Sequence, residues 1–102
     1  MDIHDVKKKI DSEDVTLIDV RAEADYEKAH IENAINVSDN NIDEFIEKAD
    51  KEKTVICYCY HGISSEGAKT YLEQHGFAEV HSMDGGFEEW KFEYPVVNGT
   101  DA

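Results

Sequence analysis

Two apolar periods alternate along the chain. Short, nearly unbroken apolar runs stand at "TLIDV" (16–20), "AINV" (34–37), "TVICYC" (54–59) and "EVHSM" (79–83). Runs of this length, rich in Val and Ile, predict buried strands of a parallel sheet. Between them the spacing is that of a helix. Ile42, Phe45, Ile46 and Ala49 fall at i, i+3, i+4 and i+7, with Asn40 or Asn41 ahead of them to cap the first turn. Ala68, Tyr71, Leu72 and His75 repeat the spacing, and Gly76 stands where a helix end takes a left-handed residue. Shorter helices are predicted over 5–11, 23–29 and 86–92, with Pro95 closing off the last. Such alternation of strand and helix implies an α/β sandwich around a parallel sheet.

Length adds that this is one domain: 102 residues bury a single core and do not divide into two. The expected domain is 1–102, with about 98–102 a loose C-terminal tail. Apolar residues at 40% favour a globular chain over disorder, despite 33% charged residues. No apolar run approaches the ~18 residues of a membrane span. The start, "MDIHDVKKKID", lacks the apolar core of a signal peptide, so the expected location is cytoplasmic. Two cysteines form no disulfide framework, which fits a reducing compartment. The charge of −14, from 10 basic and 24 acidic residues, excludes nucleic acid as a partner.

Candidate chemistry gathers in "CYCYHGISS", 57–65. Ligands of open parallel sheets sit beyond the carboxyl ends of strands. Cys59 ends a predicted central strand, and a helix follows from about Ser64 or Ser65. Its sulfur therefore lies over a helix N-terminus, among the backbone N–H groups of residues 60–65, and both features stabilise a thiolate. Gly62 lets the loop curl so that successive N–H groups point inward. Cys57, two residues back, reads as a small buried hydrophobe. A core role is the competing reading for Cys59 too, and position alone leaves the two evenly balanced.

The motifs "LIDVR" (17–21), the Tyr26–Val37 segment "YEKAHIENAINV", "CYHGIS" (59–64) and "DGGFEEW" (84–90) occur in order over nearly the whole chain. In this it resembles the single-domain rhodaneses, a family of thiosulfate sulfurtransferases. The resemblance implies a three-layer sandwich, a central parallel sheet with helices on both faces. It makes Cys59 the persulfide-forming cysteine, and Tyr60, His61, Gly62, Ile63, Ser64 and Ser65 the substrate-binding loop, with Asp19 and Arg21 in support. Thiosulfate is the implied donor, and cyanide or a thiol, a sulfur-accepting protein included, the acceptor; no cofactor or metal is required. A protein-to-protein persulfide carrier and a non-catalytic binding or sensory module are the alternatives. Two departures stand out: "AHIENA" replaces Gly-His-Ile-Pro-Gly-Ala around His30, and Ile63 occupies a position where a polar residue is common.

Rival chemistries fare worse. Cys57, Cys59 and His61 lack the spacing of a tetrahedral metal set, and a Cys57–Cys59 disulfide would bridge i to i+2 against its preferred geometry. A phosphatase loop needs an arginine for the oxyanion, whereas Ser64 and Ser65 stand there and the one arginine is Arg21. His61 reads equally as a base or anion holder and as a solvated loop residue. His30 reads as structural, and Asp19–Arg21 as an ion pair shaping the wall of the site. Gly85, Gly86, Phe87 and Trp90 read as a packing corner.

Overall fold

The computed structural model describes residues 1–62 and 64–99. Its elements are α1 (Ile3–Ser12), β1 (Thr16–Asp19), α2 (Glu23–Lys28), β2 (Ile35–Asn36), α3 (Ile42–Lys48), β3 (Val55–Tyr58), α4 (Ser64–Gln74), β4 (Val80–Ser82) and α5 (Gly86–Glu93). The four strands form one sheet in the order β2-β1-β3-β4, parallel throughout. Among the described residues no helix is long and apolar enough to cross a membrane.

Period-two alternation divides the core between the two faces of the sheet. Leu17, Ile56 and Tyr58 pack with Val6 of α1, Tyr26 of α2 and Phe87 and Trp90 of α5. Ile18, Val55, Cys57 and Val80 pack with Leu72 of α4, Phe77 and the half-buried face of α3. The result is three layers, with α1, α2 and α5 on one side and α3 and α4 on the other. Both faces being covered explains why the strands read as unbroken apolar runs.

Each strand is shorter than its run, β1 by one residue at its carboxyl end and β2, β3 and β4 by one residue at each end. Asn41 stands at the N-cap of α3, but its side chain makes no capping bond. Its Oδ1 accepts from Ser38 N–H (2.7 Å) and its Nδ2 donates to Asn36 O (3.1 Å), tying the preceding loop instead. Ile42, Phe45, Ile46 and Ala49 do share a face, which stays half-buried.

In α4 the expected face is rotated. Ser65, Ala68 and Leu72 turn inward, while Tyr71 and His75 are exposed, their rings 4.5 Å apart. Tyr71 donates its hydroxyl to Asp43 (2.9 Å). A polar residue, Ser65, sets the buried face, so a purely apolar pattern misjudges it. Gly76 has φ +93° as its C-terminal position requires, and Tyr94, ahead of Pro95, is extended (φ −136°, ψ 153°). At the C-terminus, Val97 pairs with His30, and Gly99 N–H donates to Glu27 O (2.8 Å). The rest of the expected tail, 100–102, lies outside the described residues.

This orientation of α4 is tested by truncation. Leu72→Ala is expected to lower stability by about 2–5 kcal/mol, the range for a buried leucine, in urea unfolding. Tyr71→Ala is expected to cost about 1 kcal/mol or less, as an exposed position does. Equal losses would contradict the orientation.

Candidate active site

β3 ends at Tyr58, and the chain then passes Cys59, Tyr60, His61 and Gly62 before entering α4 at Ser64. Cys59 Sγ accepts from Gly62 N–H (3.1 Å) and Ser65 N–H (3.3 Å) and lies 3.5 Å from Ser65 Oγ. Gly62 has φ +91°, and a Cβ there would press on Gly85 N and Met83 O at 3.3 and 3.4 Å. The curl of the loop and its close seat on the neighbouring turn both require glycine.

The two cysteines, two residues apart on one strand, meet opposite environments. Burial alone would raise the pKa of Cys59; the Ser65 hydroxyl and the N–H groups of Ser65, Gly62 and His61 outweigh it and hold the thiol below its ordinary value. Cys57 Sγ faces carbonyls instead, Ser65 O at 3.3 Å and His81 O at 3.5 Å. Burial, with the nearby Cys59 and Glu66 charges adding to it, pushes the Cys57 thiol up to about 12. Carbonyls favour S–H and amides favour S⁻, so Cys59 is the more readily ionised thiol of the pair.

The carbonyls of Cys59 and Tyr60, at the start of the same loop, turn to a neighbouring element. The N-terminus of α5 receives them: Phe87 N–H donates to Cys59 O (2.7 Å) and Glu88 N–H to Tyr60 O (3.0 Å). These are N–H groups with no partner inside their own helix. Gly86, at φ +61°, makes the approach possible, since a Cβ there would overlap the Tyr60 carbonyl and lie 2.6 Å from Cys59 O. The glycine pair of "DGGF" is thus part of the site, beyond the packing corner its sequence suggests.

Asp19 ends β1, beside Tyr58 of β3, and Arg21 follows it. Arg21 Nε donates to both Asp19 oxygens (3.0 Å each), and Nη2 donates to Asp19 Oδ2 and Ala29 O (2.6 Å each). The guanidinium lies 4.1 Å from the centre of the Phe87 ring and 5.0 Å from that of Tyr60. Burial would lower its pKa, but the hydrogen bonds and charge of Asp19 raise it, so it stays a cation committed to Asp19. It forms a wall under Tyr60 and does not offer its charge to the sulfur.

The loop's other residues divide plainly. Ser65 is buried in the cradle, Tyr60 is half-buried, and His61 and Ser64 are exposed. The backbone N–H of His61 helps to lower the Cys59 thiol, and Ile63 lies outside the described residues. His30 is buried elsewhere, stacked on Tyr26 at 3.8 Å with Nδ1 2.7 Å from Tyr26 O. Among the described residues no group of three or more His, Cys, Asp or Glu could hold a metal. A cleft of about 1170 Å³ runs beside the loop along the carboxyl ends of β1 and β2, walled by Arg21, Glu23, Asn36, Asp39, Asp43 and Ser64.

Sequence reasoning missed Ser82 of β4, whose Oγ lies 2.6 Å from Ser65 Oγ. The available signal was a serine inside an apolar strand, because a buried hydroxyl must find a partner. It also missed Gly86, Phe87 and Glu88 as holders of the loop.

Alkylation measured against pH tests the asymmetry of the cysteines. Folded protein is expected to react at one thiol, Cys59, with an inflection below ~8.5, the value of a free cysteine; Cys57 reacts only after unfolding. An inflection at or above the free value would mean no working cradle. Gly86→Ala is expected to slow this reaction at neutral pH by displacing the loop.

The chain matches the rhodanese-like domain over residues 2–93. Thiosulfate sulfurtransferase GlpE of Coxiella burnetii (strain RSA 493) is 48% identical over 91 residues, covering 89% of this chain and 81% of that protein. The protein of the same name from Vibrio cholerae is 38% identical over 90 residues, covering 88% and 85%. Among solved structures, the BH2092 protein of Bacillus halodurans superposes with a TM-score of 0.87 at 31% identity, covering 96% of this chain and 75% of that one. A rhodanese-related protein from Thermoplasma volcanium gives 0.83 at 28%, covering 95% of each. With the family match running from α1 to the end of α5, the chain belongs to the rhodanese-like domain family.

Proposed function

We propose that this chain is a thiosulfate sulfurtransferase that carries sulfane sulfur on Cys59. The observation that carries the reading is the Cys59 sulfur itself, held by amide donors from Gly62 and Ser65 at the carboxyl edge of the sheet. The similar proteins of Coxiella burnetii and Vibrio cholerae, both thiosulfate sulfurtransferases by name, supply the donor.

The chemistry is covalent catalysis in two displacements. Cys59 thiolate attacks the outer sulfur of thiosulfate, a new S–S bond forms, and the old one breaks as sulfite leaves with its electron pair. The enzyme then holds a persulfide anion, whose charge the inward N–H groups accommodate. An acceptor, cyanide or a thiolate, attacks the outer sulfur; thiocyanate or an acceptor persulfide departs, and Cys59 returns as thiolate. No proton needs to move at sulfur in either step, so the chemistry asks for no general base. Ser64 and Ser65 in place of an arginine suit a sulfur anion better than a phosphate dianion.

A second reading, a persulfide carrier serving a sulfur-accepting protein, is favoured by one observation. The cleft beside the loop is walled by Glu23, Asp39 and Asp43, and its guanidinium is spent on Asp19. A small dianion gains little there at long range, which favours delivery of sulfur by a protein. A reducing, cytoplasmic setting fits both readings, because the carrier thiol must stay reduced.

Intact mass separates these readings from a non-catalytic module. After thiosulfate the protein is expected to gain one sulfur atom and to lose it on adding cyanide. Cys59→Ser abolishes both changes and Cys57→Ser keeps them; a full gain in Cys59→Ser would sink the assignment.

Ionic strength reads the charge. The field of the −14 chain repels thiosulfate over a Debye length of ~30 Å at 0.01 M salt but only ~10 Å at 0.1 M. Over that range kcat/KM for thiosulfate is expected to rise, with little change for a neutral thiol acceptor. A fall in both chloride and a bulkier anion would show that a local cation governs the donor's approach.

A further inference from the structure

Two buried hydroxyls stand in line behind the sulfur. Ser65 Oγ lies 3.5 Å from Cys59 Sγ and 2.6 Å from Ser82 Oγ. Ser65 is fully buried and Ser82 is 3% exposed. Ser82 lies opposite Cys57 in the β3–β4 register, so it rises from the same face of the sheet as the two cysteines, under the first turn of α4.

Proton counting constrains this row. A serine hydroxyl has one proton and two lone pairs, so Ser65 can donate to only one of its two neighbours. With Cys59 as a thiol, S–H points at Ser65 Oγ and Ser65 donates to Ser82. With Cys59 as a thiolate the order reverses: Ser82 donates to Ser65, and Ser65 donates to sulfur. No heavy atom has to move between the two arrangements. Hydrogen bonds to an anion are the stronger kind, and in a buried row each bond polarises the next.

We propose that Ser82 is a positioning residue for sulfur transfer: by donating to Ser65 Oγ it turns the Ser65 proton onto the Cys59 sulfur whenever that sulfur is anionic. Cys59 is anionic as it attacks the donor and again as the acceptor departs with the outer sulfur. Ser82 therefore supports both displacements without touching a substrate. The inference rests on Cys59 as the sulfur carrier.

The titratable and charged groups around the row are Cys57 on β3, His61 in the loop, Glu66 and Lys69 on α4 and His81 on β4. Glu88 on α5 and Arg21 after β1 lie behind the loop. None of them changes in the variants below, so a shift between variants reads the hydroxyls.

The test is the pH profile of Cys59 alkylation by iodoacetamide in wild type, Ser82→Ala, Ser65→Ala and the double variant. Alanine removes one oxygen and adds no volume, so the fold is retained. Ser82→Ala is expected to move the inflection upward by less than Ser65→Ala does. Below the inflection its rate falls roughly threefold, the scale of one hydrogen bond, and at high pH, where the thiol is ionised in every variant, the rates converge. In the Ser65→Ala background the Ser82→Ala change adds nothing, because the row is already broken. Ser82→Thr, which keeps a hydroxyl, retains the wild-type inflection.

An unmoved inflection in Ser82→Ala would overturn the proposal. So would a rate lowered equally at every pH, an undiminished added shift in the double variant, or a shift in Ser82→Thr as large as that in Ser82→Ala. Alkylation reads the free thiol and needs no sulfur donor. A wild type that gains no sulfur from thiosulfate would therefore sink the functional reading while leaving this profile to be judged separately.

Discussion

A sulfur anion at the edge of a protein core must be given donors to replace lost water, and the loop after β3 supplies them from its own backbone. The amides of Gly62 and Ser65 close on Cys59 Sγ. The carbonyls of Cys59 and Tyr60 in the same loop need donors too, and Phe87 and Glu88 at the start of α5 provide them. The loop after β3 and the glycine turn after β4 are therefore two halves of one device, joined where Gly86 has no side chain to keep them apart.

The rest of the fold follows from holding those halves together. β3 lies between β1 and β4, which brings the Asp19–Arg21 pair to one side of the loop and the "DGGF" turn to the other. The pair is buried, and taking its charges from water costs several kcal/mol per ion, which the bidentate contact and the Ala29 carbonyl offset. Its benefit is a rigid post under Tyr60 and Phe87. One consequence is chemical: a guanidinium spent on a carboxylate cannot neutralise a substrate dianion. What recognises the donor must then be short-range and dipolar, in keeping with a loop whose anion holders are amides and hydroxyls.

The same economy explains why two cysteines so close in sequence differ so much. Both approach Ser65, Cys57 from within β3 and Cys59 from just beyond its end. Cys59 meets its amide and hydroxyl, and Cys57 meets its carbonyl. Gly62 N–H adds a second amide to Cys59, and the His81 carbonyl a second acceptor to Cys57.

The sequence by itself determined the parallel α/β architecture, because buried strands and amphipathic helices leave different periods in the apolar pattern. It also marked the loop from Cys59 to Ser65, since a cysteine at a strand end before a helix has few chemical uses, and the order of four motifs narrowed them to one family. It could not orient α4, where the inward residue is Ser65 and the apolar Tyr71 faces water. Nor could it assign Asn41, which ties a loop and caps nothing, or Ser82 and the α5 amides, whose partners lie 17 and more residues away along the chain. Those roles depend on which atoms meet across the sheet edge. Periodicity encodes the face on which a residue sits; it does not encode the direction of a backbone amide or the path of a hydroxyl proton, which are set by contacts between residues far apart in the chain.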